Sequence, residues 1–265
     1  MNEETSSEET FSRPRATFVE YSRQEVDTDA VMRALVEHDG WFAPALLLAQ
    51  GYGRQELEHL TMFGEETRLP EGEVWLFTEM STATRAQEQG ALLGAYEGGI
   101  WGANLFGGWR AEWGVVRINP GSPAEETLVL QPDAAELLTM WAAVARLEAG
   151  LVDNPSPGNT ELYREMLGFR DYLLLVDGAS REPVYYQSAE YERAMVAFTS
   201  PDSMEQFLDG FEDSREQFRV MSVDGPRLFG VLEAFGMDGL CFNPEGPGAR
   251  YELAAAPLLA ALTAT

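Results

Sequence analysis

Apolar positions along this chain follow two rhythms. Short runs of four or five suit a buried strand, and stripes at i, i+3, i+4 suit a helix. The clearest stripe is Met204, Phe207, Leu208 and Phe211, which Ser200-Pro201-Asp202 opens with a capping hydroxyl, a first-turn proline and an acid. Another is Leu228, Val231, Leu232 and Phe235, opened by Asp224 and Pro226 and closed by Gly236. Strand-length runs stand at 73–77, 115–118, 127–130, 172–176, 184–187, 196–199, 218–223 and 240–242, with 172–176 and 184–187 spaced as a hairpin. This alternation predicts an α/β (α+β) fold of mixed sheets with helices packed against them.

Residues 1–25 are rich in Glu, Ser and Thr, which predicts a disordered or loosely attached acidic tail, with Phe18, Val19 and Tyr21 as a short strand at its end. A helix capped by Asp27 or Thr28 follows, with Val31, Met32, Leu35 and Val36 on its apolar face. Trp41 to Ala49 is an apolar run of strand length, 50–73 reads as an insertion, and 78–91 as a polar helix. Seven glycines crowd 90–108, and a helix is expected over 104–113 with Leu105, Trp109 and Trp113 on one stripe and Gly114 as its stop. A long helix opens after Pro132, and VDNPSPGN at 152–159 is the clearest linker.

Two of these stretches echo one another. Phe77-Thr78 answers Phe198-Thr199, Leu105-Phe106-Gly107 answers Leu228-Phe229-Gly230, and Asn119-Pro120 answers Asn243-Pro244, in the same order and at nearly constant separation. The period is far too long for a solenoid, so the expectation is two related units in tandem, over 26–151 and 160–265.

Composition then narrows the function classes. The net charge of −26 disfavours phosphate backbones and anionic membranes and steers basic partners inward. Acidity that only confers solubility gives the same number. All 18 basic residues are arginine. Chemistry that needs a lysine amine, as in Schiff bases, lysine-bearing P-loops and Ser-x-x-Lys acyl transfer, is therefore excluded. Codon bias explains such a composition, and selection against lysine-directed modification is the sharper alternative. Cys241 is the only cysteine, so no intramolecular disulfide forms. The acidic, polar N-terminus is the opposite of a secretory signal, and no run is apolar enough to span a bilayer. The expected compartment is the cytoplasm.

With those residues in view, the second half resembles the bacterial family named for enhanced serine sensitivity, the SseB-like fold. The resemblance rests on Ala197-Phe198-Thr199-Ser200 before a capped helix, on Leu228-Phe229, and on the stretch from Leu240 through Asn243-Pro244 to Gly248. It covers about 160–255, with a weaker echo over 27–130 that departs at 50–73 and 90–108. The resemblance implies two tandem SseB-like domains, accessory or regulatory binding in place of catalysis, and no catalytic residue.

Candidate chemistry is sparse. His59 beside Glu56 and Glu58 matches no established ligand spacing, so no metal or other cofactor is expected. Cys241 between Leu240 and Phe242 reads as a small core hydrophobe. Thr78, Thr199 and Ser200 at strand-to-helix junctions read as caps. The glycines of 90–108 lack both a GxGxxG pattern and a lysine. Trp101, Phe106, Trp109 and Trp113 are the candidate protein-binding anchors, since exposed tryptophans concentrate binding energy. The functional expectation is a non-enzymatic protein that binds another protein, in its sharpest form a basic toxin or effector, with an adaptor or regulator equally compatible. The competing expectations are an enzyme or small-molecule binder with its site between the halves, and a lysine-free component of a lysine-modifying system.

Overall fold

The computed structural model describes residues 12–44, 73–89, 96–109, 113–153, 160–187, 190–244 and 251–263. The expected insertion at 50–73, apart from its last residue, and the linker residues 154–159 lie outside these. Contacts divide the chain into two compact units, Met1–Ala145 and Arg146–Thr265.

In the first unit the order is α1 (Arg13–Ser22), α2 (Thr28–Glu37), β1 (Trp41–Pro44), β2 (Glu73–Leu76), α3 (Met80–Glu88), β3 (Tyr96–Ile100), α4 (Gly102–Gly107), β4 (Val115–Ile118), β5 (Leu128–Leu130) and the long α5 (Ala134–Asp153). The unit boundary falls within α5. Then come α6 (Thr160–Gly168), β6 (Tyr172–Asp177), β7 (Tyr185–Tyr186), β8 (Ala194–Phe198), α7 (Pro201–Asp209), β9 (Phe218–Val223), α8 (Gly225–Ala234), β10 (Gly239–Phe242), β11 (Tyr251–Ala254) and α9 (Ala255–Thr263). The α/β reading holds. Among the described residues no helix is long and apolar enough to cross a membrane.

Three local expectations are revised. Residues 13–22 form a helix in place of a tail and a strand. Pro14 sits in its first turn, Phe18 is buried, and the Arg15 guanidinium lies buried against Glu126 at 2.8 Å and Glu79 at 3.4 Å. A local acidic composition carries no information about that distant carboxylate pair. The helix expected at 104–113 begins two residues earlier and ends at Gly107, since consecutive glycines at 107 and 108 favour its termination. The hairpin of β6 with β7 closes by a single bridge at Val176 and Pro183, flanked by Asp177 N–H to the Glu182 carbonyl and Val184 N–H to that of Leu175, and β7 then pairs with β8.

The two units share one internal plan. In unit 2 the strand order is β11-β10-β8-β6-β9, with β7 also on β8. The parallel pair β8/β10 aligns Ala197 with Phe242, and the parallel pair β2/β4 of unit 1 aligns Leu76 with Ile118. Antiparallel partners follow in both, β11 on β10 and β5 on β4. Tyr172 opposite Val223 matches Trp41 opposite Ile100, and Leu173 opposite Phe198 matches the bridge between Phe42 and Phe77.

Helix seats correspond as well. The Trp41 indole donates to the Leu35 carbonyl at 2.9 Å, and the Tyr172 hydroxyl donates to the Met166 carbonyl at 3.0 Å. Gly102 N–H donates to the His38 carbonyl, and Gly225 N–H to that of Phe169. Both glycines open a helix directly against the backbone of another. A Cβ would stand 2.1 Å from the Leu35 oxygen at Gly102 and 2.3 Å from the Met166 oxygen at Gly225. Only a residue without a side chain fits there.

The core of unit 1 is an aromatic stack running from Trp41 edge-on to Phe106 (5.4 Å), then to Trp109 (6.1 Å) and Trp113 (5.5 Å). His38 stands edge-on to Trp41, and its Nε2–H donates to the Thr78 carbonyl at 2.9 Å. Burial holds the imidazole below its ordinary pKa of 6.5, against the opposing pull of that bond and of Asp39 and Glu79.

Two measurements follow. Gly225→Ala lowers the urea midpoint by an amount worth about 1–3 kcal/mol through overpacking. Gly230→Ala, in the same helix with open space beside it, raises it by roughly 0.5–1 kcal/mol. Equal effects would show that the helix seat is not tight. His38 binds fewer protons folded than unfolded, so its contribution is complete above pH 6.5 and is lost as pH falls below that value. His38→Gln flattens this acid-side slope in a pH series of thermal midpoints.

Candidate functional site

The aromatic anchors expected from the sequence divide. Phe106 is fully buried and Trp113 nearly so, because both fill the stack beneath α4, and neither is available to a partner. Trp101 and Trp109 are half-buried. Cys241 is fully buried in β10, as a core residue. Glu56, Glu58 and His59 lie outside the described residues, and among the described ones no group of three His, Cys, Asp or Glu side chains could hold a metal.

Of the three junction hydroxyls, only Ser200 caps a helix, accepting from Ser203 N–H at 3.3 Å. Thr78 and Thr199 are clasped by asparagine instead. Asn119 Oδ1 accepts from Thr78 N–H at 2.9 Å, and its Nδ2 donates to Thr78 Oγ1 at 3.0 Å. Asn243 does the same for Thr199, at 3.1 and 2.9 Å. Both threonines and both asparagines are buried, and both asparagines take positive φ, 51° and 48°. Thr199 Oγ1 also donates to Glu148 at 2.8 Å. These residues hold the fold, with their polar atoms turned to one another.

The surface that the sequence did not single out is one edge of the unit 2 sheet. β9 ends the strand order, and four of its six residues are exposed, including Val220 at 51% and Met221 at 39%. The ladder with β6 places Gly178 N–H on the Gln217 carbonyl, and pairing alternates from there. Backbone groups of 219, 221 and 223 therefore face β6, and those of 218, 220 and 222 face away from the sheet. Such an edge is a ready template for another strand.

Beside it, a cavity of about 460 Å³ opens between the β6–β9 end and α8. Val176, Met221, Val231 and Phe235 supply apolar wall, and Arg181 and Arg219 supply charge. The size falls in the range of ligand pockets. Asp177 also borders it, but its carboxylate accepts from Ala179 and Ser180 N–H at 3.0 and 2.6 Å. Those bonds hold Asp177 below the usual carboxylate range. Arg181 sits in the same turn at φ 61°, a conformation unfavourable for a side chain of its size. Neither arginine forms an ion pair among the described residues. At the other end of β9 a more open cavity of about 610 Å³ is bordered by Arg170, Ser222 and Arg227.

The available signal in the sequence was Phe-Arg-Val-Met-Ser-Val, a strand that lacks the polar alternation of a half-solvated edge. No protein-family model matches the chain, and no curated protein matches it.

The turn gives a direct check. Arg181→Gly relieves the left-handed backbone, so the protein becomes up to about 1 kcal/mol more stable by thermal unfolding. A lowered midpoint would mean that the arginine supports the turn.

Proposed function

We propose that this chain is a cytoplasmic, non-enzymatic binding protein of two SseB-like units that holds another protein through the edge strand β9. The observation that carries the reading is the exposed edge itself. Its outward N–H and C=O groups lie at 218, 220 and 222, with a cavity beside them that has apolar wall and two arginines. Backbone pairing supplies affinity in strand addition, and pockets for alternate side chains supply specificity. A monomeric protein ordinarily blunts such an edge with charge, proline or a bulge. Here a single exposed charge, Arg219, stands beside Val220 and Met221, which are left in the open. The acidic net charge of −26 adds a long-range, salt-sensitive attraction for partners with basic surfaces.

The test is affinity purification of the tagged protein from its own host, alongside two variants. Val220→Pro removes one outward donor while leaving the β6 ladder intact, the position where an edge tolerates proline. Val220→Thr keeps the donor. The reading expects a stoichiometric partner on the wild type and on Val220→Thr that is lost, or at least tenfold depleted, on Val220→Pro. Equal retention by all three, or no stoichiometric partner on any, would overturn it.

A further inference from the structure

Resting on that reading, we infer that the segment laid along β9 is an extended stretch carrying an Asp or Glu side chain opposite Arg219 and an apolar side chain two positions away, opposite Met221. Arg219 and Met221 are separated by one residue in β9, so both point to the face that α8 covers. Side chains directly opposite in an added strand lie about 5 Å apart at Cβ on that same face. The residue facing Arg219 therefore enters the cationic side of the cavity, beside Arg181. The residue facing Met221 enters its apolar side, over Val231 and Phe235.

Charge accounting supports the acid. The chain carries 44 acidic and 18 basic residues, and of the fourteen arginines among the described residues eight have a carboxylate to hand. These are Arg13, Arg15, Arg33, Arg85, Arg117, Arg146, Arg215 and Arg227. Arg181 and Arg219 have none among the described residues. The one acid lining their cavity, Asp177, is turned back onto its own turn. Two cations against one committed anion leave the cavity positively charged. Arginine's planar fork suits a carboxylate at such a site.

Nine-residue peptides displayed at random sequence and selected on the intact protein test this. The expected binders carry Asp or Glu two positions from an apolar residue and fail to bind Val220→Pro. For one selected peptide, glutamate to glutamine weakens binding to the wild type about tenfold or more, as loss of a charged hydrogen-bonded pair does. The same change alters binding to Arg181→Gln/Arg219→Gln less than twofold. Both arginines are exposed, so this variant keeps its fold. Binders that require the β9 edge but show no preference for an acid would overturn the inference and leave the docking reading standing. Binders indifferent to Val220→Pro, or none at all, would overturn both.

Discussion

In each unit, one amide holds a strand end, a turn and a neighbouring strand together. The parallel pairs β2/β4 and β8/β10 both finish at the point where a threonine leaves one strand and an asparagine leaves the other. The asparagine N–H continues the ladder to the Leu76 or Ala197 carbonyl. Its side chain then accepts from the threonine's buried N–H and donates to the threonine's hydroxyl. Asparagine meets both demands because it combines donor and acceptor in one short side chain and tolerates the left-handed backbone. Everything downstream, including the placement of α3 and α7, starts from that junction.

Around the clasp the two units solve the same problem with different residues. Trp41 and Tyr172 are unlike side chains that each send one donor to a helix carbonyl. Gly102 and Gly225 are the same residue for the same reason, a backbone approach that excludes a Cβ. The outer strands have diverged. Gly98 of β3 packs its backbone so closely on the Phe42 ring that a Cβ would stand 2.3 Å from it, whereas β9 at the corresponding edge carries Arg219, Val220 and Met221. The shared scaffold is used for stability, and the difference in edges is where the two units can differ in role.

The pattern of Phe-Thr, Leu-Phe-Gly and Asn-Pro was legible because each pair sits at a geometric necessity, and necessities leave fixed residue types. Helices with strong caps were legible for the same reason, as Asp27, Ser200 and Asp224 all cap where their sequences placed them. Residues 13–22 were not, because what holds them is the buried Arg15 contact with Glu126, distant in sequence. The aromatic cluster was visible as a cluster, but not that Phe106 and Trp113 would be inside it. Burial of a stripe depends on what packs over it. The β9 edge was hidden for another reason: a strand's sequence does not say whether it lies at the middle or the margin of its sheet.

The Asn-Pro pairs have a chemical consequence. Asparagine ages by attack of the next residue's backbone nitrogen on its side-chain carbonyl, giving a succinimide and then aspartate or isoaspartate. Pro120 and Pro244 follow the two clasp residues, and their tertiary nitrogens have no hydrogen to lose in that ring closure. An aspartate at position 243 would set a carboxylate where Asn243 Nδ2 now faces Glu148 at 3.4 Å. The proline that ends each strand thus also protects the amide that each sheet relies on, and sets a long chemical lifetime for the junction.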